Sequence, residues 1–116
     1  MYDANRAPEP NWLSCAPADK LRQVTAFHAA QRVAAGPLKS HAALHVIVED
    51  LIARGDGPVV RAMARLQQQG MTRHEALHAV GETVASHRHK HAVAPADGWQ
   101  RRLNDALNAL AAARPA

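Results

Sequence analysis

Apolar residues recur three or four positions apart along most of the chain, the signature of amphipathic helices. Leu21, Val24, Phe27, Ala30 and Ala34 predict a first helix over residues 19–35, stopped by Gly36-Pro37. Leu44, Ile47, Val48 and Leu51 form the apolar face of a second, over 38–54, closed by Gly55-Asp56-Gly57. Pro58 then suits the first turn of a third helix, because proline lacks only an N–H that this turn would leave unpaired. That helix carries Val59, Val60, Met63 and Leu66 and ends at Gly70. Thr72 followed by Glu75 is a capping-box pattern and opens a fourth helix, over 73–87. Residues 87–95 read as a basic linker. A fifth helix over 97–113 presents Trp99, Leu103, Leu107 and Leu110. Residues 1–17 read as an irregular arm broken by Pro8, Pro10 and Pro17, which Trp12 and Leu13 would pin to the core. No bounded alternation of β-branched residues competes with helix. The expected fold is all-α: a compact bundle of four to five helices over 18–116.

Composition changes this picture in two ways. Aromatic residues make up only 3% of the 116, so the core must be aliphatic. Cys15 is the sole cysteine, which excludes an internal disulfide and a thiolate cluster within one chain. Together with the absence of a leader pattern or an 18-residue apolar run, it points to a cytoplasmic protein with no membrane span. The net charge of +4 is spread along the chain and reads as a solvated surface. Eight histidines stand out against this ordinary background.

Four of them fall in an internal repeat. His41 to Glu49 reads HAALHVIVE, and His74 to Glu82 reads HEALHAVGE, 33 residues later. Each copy places His, His and Glu four apart, and residues so spaced drift only ~80° around a helix over two steps. His41, His45 and Glu49 therefore share one face of the second helix. His74, His78 and Glu82 share the matching face of the fourth. Facing each other, they would offer four imidazoles and two carboxylates. That donor set suits a transition metal rather than calcium or magnesium. Iron is preferred, with zinc or manganese as alternatives. Positions eight apart are ~12 Å apart along the axis, too far for one ion to take both. Six ligands over two ions would form a dinuclear centre, bridged by Glu49 or Glu82. Positions would remain open for dioxygen or a small substrate. The expected chemistry is oxygen- or redox-linked, or metal sensing and storage.

Two other function classes compete. HEALH matches the H-E-x-x-H of zinc metalloproteases, in which Glu75 would be the general base. Yet Glu75 has a simpler role as the capping partner of Thr72, and Ala42 stands at its place in the other copy. The third and fourth helices also resemble a helix-turn-helix. The would-be reading helix, however, has few side chains suited to base edges, which argues against nucleic acid.

From Ser40 to about His87 the chain resembles a family of small bacterial helical proteins of unknown function. The likeness rests on His41, Leu44 to Glu49, Arg73 to His78, and Glu82. In that family an earlier H-x3-H-x3-E helix pairs with a later H-E-x-x-H-x3-E helix. The resemblance implies that the two motifs belong together and assigns no substrate. Hemerythrin-like and ferritin-like iron bundles are similar in ligand type only. His87, His89 and His91 alternate, and in an extended segment they would point to one side. His28 lies near the apolar face of the first helix, where it could serve as an extra ligand or as a hydrogen-bond donor to Glu49 or Glu82. A twofold homodimer would add buried surface to so small a bundle.

Overall fold

The structure is a computed structural model, and it describes residues 2–31 and 38–111. Five α-helices follow a short 3-10 turn at Trp12–Ser14. They are α1 (Pro17–Gln31), α2 (Leu38–Ala53), α3 (Gly57–Gln68), α4 (Arg73–Val93) and α5 (Trp99–Ala109). There is no strand among the described residues. The protein is an all-α bundle.

Local chemistry accounts for most of the boundaries. Asp56 caps α3 by accepting from the Val59 N–H, and Pro58 sits in its first turn. Thr72 and Glu75 close the expected capping box on α4: Glu75 N–H donates to the Thr72 hydroxyl at 3.1 Å, and Thr72 N–H to the Glu75 carboxylate at 2.9 Å. Gly70 takes a φ of 103° between α3 and α4, which a side chain would resist.

Three boundaries differ from expectation. The first helix starts two residues earlier, at Pro17, because proline tolerates a first turn. Residues 32–35 of the expected helix, including Ala34, lie outside the described residues. Residues 87–93 are not a linker but the last two turns of α4. Nothing in Ser86 to Val93 breaks a helix, and Pro95 comes only after the C-cap at Ala94. The fifth helix begins at Trp99, behind Gly98 at φ 77°.

The helix pairs α2–α4 and α1–α2 share the most extensive contacts, and α3 and α5 close the far side of α4. Val24, Phe27, Val48, Val59, Met63, Leu66, Leu77, Val80, Val84, Leu103 and Leu107 fill the interior. Leu44, Ile47, Leu51 and Trp99 pack at its margin, whereas Val60 and Ala30 face outward. The arm is better anchored than its prolines suggested. Tyr2, Ala4 and Trp12 are buried, and the Trp12 indole donates to Asp50 at 2.9 Å. Lys20 bridges to the same carboxylate at 2.8 Å. Leu13, the other expected anchor, is exposed.

One residue sets how close α2 and α4 come. A Cβ built on Gly81 would overlap the Leu44 side chain and press on Val48. The repeat places Val48 and Gly81 at equivalent positions, 33 apart. The two histidine helices therefore meet at their own equivalent positions, and only glycine in the second copy leaves room for the side chains of the first.

Candidate metal centre

The close approach at Gly81 brings the histidines of α2 and α4 together. His41, His45, His74 and His78 are joined by His28 from α1. One ring nitrogen from each of the five lies within 4.8 Å of all the others. Their rings meet mostly edge to face, as for His28 and His45, whose centroids are 4.5 Å apart. His28 and His45 are 1% and 0% exposed, while His41, His74 and His78 are half-buried. The cluster is closed around His28 and His45, and the outer parts of the other three residues reach toward solvent.

Hydrogen bonding shows which nitrogens are spare. The His28 Nδ1–H donates to the Val24 carbonyl at 2.9 Å, since a carbonyl can only accept. This leaves the His28 Nε2 as a bare lone pair. That atom is buried without a partner, and so are the Nε2 atoms of His41 and His74. The Nε2 atoms of His45 and His78 face each other at 2.9 Å. Buried polar atoms in folded proteins are nearly always paired, so three orphans around one point call for a shared partner.

Burial keeps the four rings of α2 and α4 neutral. It pushes His45 down to about 2 and His78 down to about 4, and mutual repulsion among the imidazoles adds to the effect. His41 and His74 are lowered for the same two reasons. Neutral imidazole is the form that ligates metal. The geometry is close to what one ion requires. Nitrogens at ~2.1 Å from a common ion are ~3 Å apart across a right angle and ~4.2 Å apart when opposite. The His45–His78 separation matches the first value, and a spread of up to 4.8 Å needs at most about 0.6 Å of closure to reach the second. The five histidines can hold a transition-metal ion.

The two glutamates expected as ligands are placed differently. Glu49 is 0% exposed, but both its oxygens are engaged. Arg73 donates to Oε2 at 2.8 Å and to Oε1 at 2.6 Å, and the Tyr2 hydroxyl donates to Oε2 at 2.7 Å. Glu82, its counterpart in the repeat, is exposed and stands outside the cluster. It is near enough to His41 only to raise that residue's proton affinity slightly against the effect of burial. Neither carboxylate belongs to the five-nitrogen group. Glu75 is held at the surface in its capping box, with its carboxyl lowered by the Thr72 hydrogen bonds.

His28 was expected either as an extra ligand or as a hydrogen-bond donor to Glu49 or Glu82. It spends its proton on its own helix rather than on a glutamate and turns its other nitrogen into the cluster, where an extra ligand would stand. Of the alternating histidines, helix formation separates the faces. His87 donates Nδ1–H to Thr83 at 2.9 Å, His89 is exposed, and His91 stacks on Trp99 with centroids 4.6 Å apart. None of the three reaches the cluster.

Two contributors went unnoticed in the sequence. Arg73 could have been found from the rule that a buried carboxylate needs a cation, because it opens the helix that faces Glu49. Tyr2 carries no comparable signal, being a single tyrosine in an arm with no periodicity. Among the described residues no helix is long and apolar enough to cross a membrane. No family model, curated protein or solved structure matches the chain.

Proposed function

We propose that this chain is a metal-binding protein in which His28, His41, His45, His74 and His78 hold a single first-row transition-metal ion. Five imidazoles would leave a sixth coordination position for dioxygen or another small ligand. The observation that supports this reading is the set of three buried Nε2 atoms without partners beside the 2.9 Å His45–His78 contact. An all-imidazole set favours iron, nickel, copper or zinc and gives no reason to choose manganese, a metal of oxygen-rich sites. A carboxylate-bridged pair of irons loses its support, because Glu49 is already bound by Arg73 and Tyr2 and Glu82 lies outside the group. Iron remains our choice of metal and oxygen- or redox-linked chemistry our choice of reaction class. When bound, such an ion would supply a one-electron couple and a Lewis acid. The chain's own part is to converge five imidazoles on one point and to keep His41, His45, His74 and His78 neutral.

The protease reading is weakened by the placement of Glu75, whose carboxylate caps its own helix rather than facing the cluster. Elemental analysis of untagged protein, with its optical spectrum, tests the proposal. One equivalent of metal per chain is expected, lost in a His45→Ala/His78→Ala double variant that keeps its helical circular dichroism. Two equivalents per chain would restore the dinuclear reading. No metal above trace after reconstitution would sink both.

A further inference from the structure

Glu49 is the most deeply buried charge near the cluster, yet it does not enter it. Its connection to the histidines runs through one atom. The Tyr2 hydroxyl is 2.7 Å from Glu49 Oε2 and 3.1 Å from His45 Nδ1. A phenol has one proton, and an ionised carboxylate can only accept. Tyr2 therefore gives its proton to Glu49, and the contact with His45 is a hydrogen bond only if His45 Nδ1 carries a hydrogen and donates it to the phenol oxygen. The proton order is fixed from Arg73 inward: guanidinium to Glu49, Tyr2 to Glu49, His45 to Tyr2. It leaves His45 Nε2 as a lone pair, aimed at His78 and the cluster.

We infer that Tyr2, Glu49 and Arg73 form a positioning relay that locks His45 in its Nδ1–H tautomer with its Nε2 lone pair turned into the five-histidine site. This rests on the metal-site reading above and deepens it, since it gives the buried glutamate a role without making it a ligand. The Glu49 charge reaches a bound ion through two hydrogen bonds, and partners of this kind raise the basicity of a ligating imidazole. Every part of the relay is held from outside the cluster. Arg73 also donates to the Ala4 carbonyl at 3.1 Å, and the His74 N–H donates to Asn5 Oδ1 at 3.2 Å. Tyr2 packs between Trp12 and Phe27, with ring centroids 5.7 Å from each. The arm is thus a component of the site, docked on α4 by backbone and side chain together. The second copy of the repeat has no such device, because no tyrosine or arginine is bonded to Glu82 among the described residues.

Two measurements on the full chain test this. The first uses metal-free wild-type protein at pH 8, where long-range nitrogen–proton correlation spectra report the tautomer of each histidine. His45 is expected to be protonated on Nδ1 alone, and an Nε2–H tautomer would overturn the relay. The second titrates Co2+ as probe and compares affinity and visible absorption across variants. Tyr2→Phe keeps the ring and removes the hydroxyl. It is expected to weaken Co2+ binding by about 10- to 100-fold and to change the spectrum. Asp56→Ala, which removes the α3 cap and touches neither the arm nor the cluster, is expected to lower the melting temperature with affinity and spectrum unchanged. Wild-type affinity and spectrum in Tyr2→Phe would overturn the inference. Should wild-type protein take up no Co2+, the metal-site reading falls and the inference with it. The tautomer measurement does not depend on either variant folding or on metal.

Discussion

The two copies of the repeat carry the same three residues at the same spacing, and they end in different environments. In α2 the motif finishes on Glu49, fully buried and clasped by Arg73 and Tyr2. In α4 it finishes on Glu82, exposed and outside the cluster. Both helices bring their histidines to one centre, so the pattern fixes the face but not the fate of the glutamate. What breaks the symmetry is sequence outside the motif. Position 73, just before the second copy, holds arginine where the first copy has Ser40. The arm adds Tyr2 on one side only. A repeated motif thus specifies which side chains converge, and its neighbours decide which of them are ligands and which are buried counter-charges.

The sharpest way to break that contrast is to remove each glutamate in turn. Glu49→Ala leaves Arg73, only 11% exposed, without its anionic partner. Removing one partner of a buried pair costs about 3–5 kcal/mol. Glu82→Ala removes an exposed group with no buried partner and is expected to stay within about 0.5 kcal/mol. Chemical denaturation of the metal-free variants measures both. Equal effects would show that the two copies are equivalent after all.

Acid should separate the copies next. The folded-state affinities of His45 and His78 for protons are depressed to about 2 and about 4, whereas an unfolded histidine titrates near 6.5. The unfolded chain therefore binds more protons as pH falls below about 6.5, and stability drops. The contribution is complete above about 6.5. It is lost through the window down to 4 for His78 and continues to be lost below that for His45. Each group contributes at most about 1.4 kcal/mol per pH unit inside its window. The denaturation midpoint of metal-free protein should accordingly fall from pH 7 to pH 5, and less steeply in His45→Gln and in His78→Gln. Only His45→Gln should still flatten the dependence below pH 4. A midpoint independent of pH over this range would contradict neutral, buried rings.

Much of this was legible in the sequence. Helical periodicity, the Thr72/Glu75 box and the Pro58 helix start each act within a few residues, and each appears where the pattern put it. The α4 extension was misjudged because charge was read as a sign of a linker, although Arg88, His89 and Lys90 lie exposed on a helix without strain. Four of the five clustered histidines followed from spacing alone. His28 did not follow from spacing and stood as either an extra ligand or a donor to a glutamate, because nothing local distinguishes a histidine that bonds its own helix from one that also reaches a neighbour. Nor did the roles of the glutamates. Those depend on Arg73 and Tyr2, which lie 24 and 47 residues from Glu49, and only packing brings them together.

Gly81 offers a smaller lever on the same comparison. It is the second-copy equivalent of Val48, and its missing side chain lets α4 settle on Leu44. Gly81→Ala forces a methyl into occupied space, and overpacking of this sort costs about 1–3 kcal/mol. It should also weaken metal uptake, since α2 and α4 supply four of the five imidazoles. Leu44→Ala alone empties part of the contact. Leu44→Ala/Gly81→Ala should regain metal affinity relative to Gly81→Ala, a non-additivity seen when two residues share one contact. Additive behaviour in the double-mutant cycle would place the helix contact elsewhere.

The mildest test concerns the second residue of each copy, Ala42 in α2 and Glu75 in α4. Ala42 is fully buried, while Glu75 is exposed and bonded to the Thr72 N–H. If Glu75 is a cap, its removal is a matter of helix stability. Losing one side-chain hydrogen bond of a capping box should cost about 0.5–1 kcal/mol, with Thr72→Ala slightly more damaging because the hydroxyl accepts directly from an unpaired N–H. Metal content should not change in either variant, because neither residue touches the five nitrogens. If Glu75 were instead a general base beside a zinc ion, Glu75→Gln would abolish any hydrolytic activity while sparing stability. Thermal melts, metal analysis and a peptidase assay on Glu75→Gln and Thr72→Ala separate the two. The cap predicts paired, small losses of melting temperature and full metal content. A stable Glu75→Gln that loses a wild-type peptidase activity would give the second copy a chemistry the first cannot share.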